Sequence, residues 1–447
     1  MGIAGESVAV VGAGIGGLSL AYQLKKQGKP VSVFEAAAEA GGKIKTLHLD
    51  GFELDLGPVS CAETATLKQL LADLHLEQEV IAAKSAVSKR YIFSGGTIHA
   101  IEPSPLKLLM HPMLSWSGRL GLLRDVFIKP EAEQTHSDET VAQFVRRHFG
   151  EEAHQKLFNP VLNGIYAGDS EALSISSTLA MVKTLAGTYG SVIKGLRAEK
   201  GKLNMSRKII GIKGGFIRVV EALQEELGAD LHLATAVKKI TPSENGVKLS
   251  LHTNEGEQER FFDKVYLALP SYACADLLAD IDAKMASALK QIRYPKVWQI
   301  YCEAETSDQV FDGFGFLVPA MERKSLLGAI CITNLFPDKA PAGKTLFALF
   351  CGGDRPYAFE PSVEQAVKEF HSILKPSLLK VLHVQEWSEA IPQFYVGHKK
   401  LLQSLKALEA RYPAIFFAGN YVSGVSLGDC VEYGLKINSE KGSVEVR

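Results

Sequence analysis

The residues Gly12-Ala13-Gly14-Ile15-Gly16-Gly17, with an acid further on at Glu35, are of the types and at the spacing that hold an adenine dinucleotide. Gly12 permits a tight turn, Gly14 lets the main chain approach a pyrophosphate, and Gly17 allows a helix to lie close on a sheet. The phosphates are expected at the helix N-terminus, where unpaired N–H groups and the helix dipole favour anions. Glu35 is placed to accept hydrogen bonds from an adenosine ribose. A glycine-rich turn can also merely close a strand-helix junction. Ligand binding is favoured here because strand, turn, helix, second strand and acid occur in the required order.

The elements that must position these residues are legible around them. Val8 to Val11 predicts a strand, Leu18 to Gln27 a helix stopped by Gly28 and Pro30, and Val31 to Phe34 a second strand. A second passage of this kind lies near the other end. Ala414 to Ala418 predicts a strand, Gly419-Asn420 a turn, and Val425 to Gly434 a helix. The two chain ends are therefore expected in one nucleotide domain, with a second helix N-terminus aimed at another part of the ligand.

Between them the pattern changes several times. Hairpins are expected around Asp50-Gly51 and over Arg90 to Ile101, and a helix over Glu63 to Leu74. From Pro103 to about Arg197 the chain reads as helical, with Ser137-Asp138-Glu139-Thr140 offering caps for a helix carrying Val141, Phe144, Val145 and Phe149. Leu106 to Ile128 is a basic amphipathic stretch that could rest on a membrane interface, although packing on its own domain is the more ordinary expectation. A turn and helix follow over Gly211 to Leu227, then strands over Leu231–Leu233, Ala236–Ile240, Val247–His252 and Phe261–Leu269.

A chain of 447 residues has room for two or three domains, and 46% hydrophobic with 22% charged residues is the composition of a soluble globular protein. A formal net charge of -1 gives no bulk case for nucleic acid. No run is apolar for long enough to cross a bilayer, and the start lacks the pattern of a secretory leader. Cys61, Cys274, Cys302, Cys331, Cys351 and Cys430 are scattered, without metal-ligand spacing. They are expected as reduced, mostly buried thiols of a cytoplasmic protein, with no metal site.

Gly42-Lys43, Gly57-Pro58 and Gly419-Asn420, taken with the opening motif, resemble the flavin-containing amine oxidase superfamily. Within it, Glu139 to Glu152, Asn159 to Asp169 (which includes Gly164-Ile165-Tyr166-Ala167-Gly168-Asp169) and Gly419 to Val425 resemble protoporphyrinogen/coproporphyrinogen oxidases. Ile391-Pro392-Gln393-Phe394 with Gly397-His398 is similar to another element of those enzymes, and the likeness runs from about Val8 to Gly434. The fold class this implies is α/β: a Rossmann-like FAD-binding domain in three parts (1–88, 205–268, 401–447), an inserted mixed-sheet substrate domain (89–102, 269–400) and a helical domain (103–204), the last a candidate for membrane association.

The resemblance implies noncovalent FAD and carries roles to matching positions. Gly12, Ala13, Gly14, Ile15, Gly16 and Gly17 would hold the pyrophosphate, Glu35 and Ala36 the adenosine ribose, and Val237 the adenine. Gly42, Lys43, Gly57, Pro58, Val59 and Ser60 would lie along the ribityl chain and flavin; Trp387 and Pro392 would approach the ring. Asn420, Val425, Ser426 and Leu427 would place main-chain groups at the isoalloxazine, where a helix N-terminus stabilises the negative charge of reduced flavin.

The implied activity is O2-dependent oxidation of a porphyrinogen in haem biosynthesis, six electrons in three hydride transfers to flavin N5, with H2O2 released and no side-chain base assigned. Expected partners are the porphyrinogen, O2, other haem-pathway enzymes and, peripherally, a membrane. Proto- and coproporphyrinogen are not distinguished. Val59 departs from the polar residue common there in the family, leaving Lys89, Arg90, Lys107 and Arg119 as substitute carboxylate anchors, each of which reads first as a solvated surface charge. The strand Val297 to Cys302 has only Lys296 at its start, which argues against an amine oxidase. Tyr166 and Asp169 read first as parts of a junction-closing loop rather than as reacting groups. Competing readings are an amine oxidase, a carotenoid desaturase-like enzyme, and a non-enzymatic flavin-containing porphyrin carrier.

Overall fold

Val8–Val11 and Val31–Phe34 are short runs of apolar, mostly β-branched residues, and they pair in parallel at the centre of a five-stranded sheet. The computed structural model describes residues 6–84, 89–102, 104–129, 138–200, 208–305, 312–354 and 360–437. The sheet order is Leu231–His232, Val31–Phe34, Val8–Val11, Lys264–Leu267, Ile415–Phe417, every pair parallel. Alternation along the strands divides the core. Val8, Val10 and Val33 face the helices Ile15–Lys26 and Leu427–Leu435, while Ala9, Val11 and Phe34 face an antiparallel three-stranded meander formed by Ala236–Ser243, Gly246–Thr253 and Gly256–Phe262.

A seven-stranded mixed sheet forms the second body, in the order Leu379–Trp387, Val297–Glu305, Lys344–Gly352, Leu326–Cys331, Gly315–Leu317, Arg90–Ser94, Thr97–Ile101. The helix Val363–Leu374 packs on one face around Phe316, Phe347 and Phe370. The hairpin Thr46–Leu49/Phe52–Asp55 closes on the other around Tyr301 and Leu346. Its turn needs left-handed backbone at both Asp50 (φ 50) and Gly51 (φ 83), as a two-residue hairpin turn does. Asp55 ties the two bodies. Its carbonyl accepts from Tyr301 and Gln299, and its buried carboxylate accepts from the Phe216 N–H at 2.9 Å and pairs with buried Lys339, which also reaches Glu53 at 2.8 Å.

The third body is helical: Trp116–Arg124, Val141–Phe149, Asn159–Tyr166, Ala180–Tyr189 and Val192–Ala198. Thr140 and Gln143 form a reciprocal capping box at the start of Val141–Phe149; Ser137 lies outside the described residues. Asp125, fully buried, caps Val192–Ala198 through the N–H groups of Val192 and Ile193 and also bonds His148 and Ser191. Burial would raise its pKa, but those hydrogen bonds hold it below the usual carboxylate range.

The observed fold is the α/β class expected, with specific differences. The first helix starts at Ile15 rather than Leu18. The single strand expected over Phe261–Leu269 is two strands broken at Asp263, whose carboxylate takes the N–H and hydroxyl of Ser7, each at 2.6 Å. A small sheet of Cys61–Ala62, Ile209–Ile212 and Val80–Ala82 was not foreseen. The expectation that Leu106 to Ile128 packs on its own domain holds for one face only. Gly118 and Gly121 fit against Glu152 and the Phe149 carbonyl, but Trp116 (76%), Leu120 (68%) and Phe127 (81%) are exposed. No helix of the described residues is long and apolar enough to cross a membrane.

Candidate functional site

The three tasks expected of the opening glycines are separable in the structure. Gly12 has φ +102, and a Cβ there would stand 2.7 Å from the Ala268 carbonyl. At Gly17 a Cβ would stand 2.0 Å from the Gly12 carbonyl, so the helix lies against its own turn. At Gly14 a Cβ would meet nothing within 4 Å. Gly14 is also the N-cap of Ile15–Lys26, which has no side-chain cap and no acid in its first turn. The first N–H groups thus face open space at the positive end of the helix, as a pyrophosphate requires. Gly42 (φ +59) lies on the other side of this opening, its notional Cβ 3.5 Å from the Gly14 Cα, and Gly41 bridges to Gly14.

Glu35 follows the second strand, and its carboxylate accepts from the N–H of Ala13 at 2.7 Å and of Ala37 at 2.9 Å. It therefore braces the glycine-rich turn while remaining half-buried beside exposed Ala36. The Glu35 carbonyl accepts from Thr235, which brings half-buried Val237 to the same end of the sheet.

A second group lies along Lys43. Gly57 rests on it so closely that a Cβ would be 2.1 Å from the Lys43 carbonyl. Pro58 and Ser60 are half-exposed, and Val59 is buried with the hairpin core. Trp387 joins this group by donating to the Leu56 carbonyl at 2.8 Å. The Lys43 ammonium has no ion-pair partner among the described residues. Burial draws its pKa down, against the field of Glu389 two residues beyond Trp387.

The C-terminal passage differs from the expected helix over Val425 to Gly434. Asn420–Ser423 is a single helical turn, Gly424 (φ +115) breaks it, and the longer helix runs Leu427–Leu435. Val425 is therefore in the connecting loop. Ser426 is the N-cap, in a capping box with Asp429, so this helix start already carries a carboxylate. The Asn420 side chain meets Tyr294, and Gly419 sits against the Leu269 carbonyl. Gly16 lies 3.7 Å, at its notional Cβ, from Cys430, so both glycine-marked passages do meet.

Asn159–Tyr166 ends beside this passage. Burial pushes the Tyr166 hydroxyl up to about 12, with a smaller push from Asp429. Tyr166 and Asp169 both take part in hydrogen bonds of this loop. The Tyr166 carbonyl accepts from Gln393, and Asp169 turns the chain by accepting from Glu171. The outward face of the helix carries exposed Val161 and Ile165, with Gly164 packed on Leu317 of the seven-stranded sheet.

Of the four basic residues considered as anchors, Lys89 pairs with Asp312, Lys107 with Glu102, and Arg119 donates to the His111 carbonyl and lies over Trp116. Arg90 has no acidic partner among the described residues. Although the residue as a whole is exposed, its guanidinium lies 4.4 Å from the Phe314 ring centre, and desolvation draws its pKa down. The six cysteines are free, and burial pushes the Cys61 thiol up to about 12, a range without nucleophilic reactivity.

Asp55–Lys339, Tyr294 and the contacts of Gln393 have no local signal in the sequence, whereas the Ser426–Asp429 capping box does, in the spacing of its two residues.

Comparison with known proteins adds a match of residues 15–437 to the family model described as flavin containing amine oxidoreductase. The chain is 30% identical over 466 residues to the chloroplastic protoporphyrinogen oxidase of Nicotiana tabacum, covering 96% of this chain and 84% of that one. It is 29% identical over 464 residues to the coproporphyrinogen III oxidase of Bacillus subtilis (strain 168), covering 96% of each. Among solved structures, a putative protoporphyrinogen oxidase from Exiguobacterium sp. 255-15 superposes with a TM-score of 0.80 at 22% identity, covering 97% of this chain and 98% of that one, a likeness of fold.

Proposed function

We propose, because the chain belongs to the flavin containing amine oxidoreductase family, that this flavin-dependent enzyme oxidises a porphyrinogen to the porphyrin in haem biosynthesis. The observation that carries the substrate is the face of Asn159–Tyr166. Val161 and Ile165 are exposed there beside Leu317, and Arg90, a cation without an acidic partner among the described residues, stands on the strand paired with that of Leu317. An apolar surface with this cation on an adjoining strand suits a flat macrocycle bearing carboxylates. The relatives named for protoporphyrinogen and coproporphyrinogen oxidation support the same reading.

The cofactor in this reading is noncovalent FAD. The first turn of Ile15–Lys26 with Gly42 receives the pyrophosphate, Glu35 and Ala36 the ribose, and the end of the sheet near Val237 the adenine. Lys43 and Gly57 to Ser60 would lie along the ribityl chain, Trp387 and Pro392 would approach the ring, and Asn420 with Leu427 would offer main-chain N–H groups at its pyrimidine end, where Ser426 caps the helix and has both main-chain groups engaged within the protein. Bound FAD would supply the electron acceptor, taking hydride at N5 in each of three rounds and being reoxidised by O2 with release of H2O2. The chain's contribution is to orient the macrocycle, pair its carboxylates through Arg90 and shield the reacting carbon from water. The expected division is an FAD-binding domain in three parts (1–88, 205–268, 401–447), a substrate domain (89–102, 269–400) and a helical domain (103–204).

The exposed Trp116, Leu120 and Phe127 stripe, bordered by Arg119, Arg124 and Lys129, supports peripheral contact with an anionic membrane, where an apolar substrate and other haem-pathway enzymes would be met. The function is tested by aerobic incubation with each porphyrinogen. Porphyrin fluorescence should rise as O2 is consumed, and no turnover of either substrate would overturn the proposal.

A further inference from the structure

Gln393 joins two segments that carry the proposed site. It is 1% exposed, and its Nε2 donates to the carbonyls of Tyr166 at 2.9 Å and Ile391 at 3.1 Å. Tyr166 ends the helix whose outward face is Val161, Gly164 and Ile165; Ile391 belongs to the loop that follows Trp387. The other side of the amide is pressed on the same turn. Its Oε1 would stand 2.1 Å from a Cβ at Gly168 and has no donor among the described residues. Burying an acceptor in this way is costly, so the contact persists because the surrounding segments hold it.

They hold it from a second side. The N–H of Asp354 donates to the Ala167 carbonyl at 2.6 Å, and Gly353 (φ +88) fits where a Cβ would stand 2.5 Å from that oxygen. Tyr395, two residues after Gln393, donates to the Asp354 carboxylate, which also pairs with Arg293 at 3.0 Å. The main chain of Gln393 is fixed by donation to the Arg293 carbonyl at 2.9 Å. The amide is thus a strut of fixed length between the helix end and the loop.

We propose that Gln393 is a positioning residue that sets the separation of the Val161–Ile165 face from the Trp387–Ile391 loop, and so the register of the macrocycle against the flavin. This rests on the porphyrinogen reading above. Gln393→Met keeps the side chain's length and removes both donors; Gln393→Asn keeps the amide but is too short to span both carbonyls. Each is expected to retain FAD and to be reduced by dithionite like the wild type. Under anaerobic porphyrinogen, the limiting rate of flavin reduction should fall about tenfold or more, since misplacement of about 1 Å can cost 10²-fold. Combining Gln393→Met with Ile165→Ala should give less than the product of the two losses, because both act on one wall.

A wild-type limiting rate in Gln393→Met, a loss no larger than its loss of FAD, or strictly multiplicative effects with Ile165→Ala would overturn the inference. If Gln393→Met does not fold, Gln393→Asn carries the same comparison. A wild-type flavin left oxidised by both porphyrinogens would overturn the functional reading and this inference together. A reduced wild type with an indifferent variant overturns only the inference.

Discussion

Two glycines three residues apart separate binding from folding. A side chain at Gly14 enters open space, whereas one at Gly17 enters the Gly12 carbonyl. Gly14→Val should therefore fold with the unfolding midpoint of flavin-free wild type and lose flavin absorbance after purification, while Gly17→Val should not yield folded protein. Stoichiometric flavin in Gly14→Val would refute the placement of the pyrophosphate. Another prediction belongs to His398, which is buried, stacks on Phe394 and hydrogen-bonds the Tyr421 carbonyl. Burial pulls its pKa from 6.5 to about 4, partly opposed by that carbonyl. The unfolded chain thus takes a proton below pH 6.5 that the folded chain refuses until about pH 4, and stability falls across that window as pH falls. The loss attributable to this group is roughly 3 kcal/mol. His398→Gln, which keeps a donor for Tyr421, should show correspondingly less acid destabilisation in urea titrations at pH 7 and pH 4.5; identical profiles would contradict this. The glycine tasks were legible because they depend on neighbours within one turn. Gln393 was not, because its partner Tyr166 lies 227 residues away.

Elements were read correctly where periodicity and punctuation agreed, as in Val8–Val11, Val31–Phe34 and Val141–Phe149. They were misread where a break in the pattern was read through. Phe261 to Leu269 carries Asp263-Lys264 in its interior, and Asp263 divides it by bonding Ser7, a partner 256 positions earlier. At the C-terminal passage, Gly424 and Ser426 did mark the true helix start, but Val425 between them suggested an earlier one. The hairpin carrying Asp55 gives an energetic prediction. Lys339→Met leaves buried Asp55 and half-buried Glu53 without their cation, and should cost about 3–5 kcal/mol by chemical denaturation. Adding Asp55→Asn should recover part of that loss. A single Lys339→Met cost within about 0.5 kcal/mol, the range of an ordinary surface change, would show that this pair is not what joins hairpin to sheet.

For the whole molecule, the five-stranded sheet draws its strands from both ends of the chain, and the flavin site proposed above would be assembled from segments near residues 12, 43, 57, 387 and 420. The sequence indicated that the ends meet, but not the ties through Lys339, Tyr294 and Gln393 that fix the bodies together, since each joins residues without any local signature. The exposed stripe on Trp116–Arg124 predicts co-sedimentation with vesicles of phosphatidylglycerol and phosphatidylcholine at low salt. Trp116→Ser with Phe127→Ser should weaken it at least tenfold, since each large apolar side chain contributes roughly 1.5–3 kcal/mol on full burial. Equal sedimentation of variant and wild type would remove the membrane contact. In the proposed reaction the flavin accepts electrons from a porphyrinogen placed against the Val161–Ile165 face, which is tested most directly by anaerobic mixing of the flavin-loaded protein with protoporphyrinogen and with coproporphyrinogen. Bleaching of the flavin by at least one of them, with porphyrin appearing at the same rate, is the predicted result; a flavin that stays oxidised with both and bleaches with polyamines or polyenes would contradict the account.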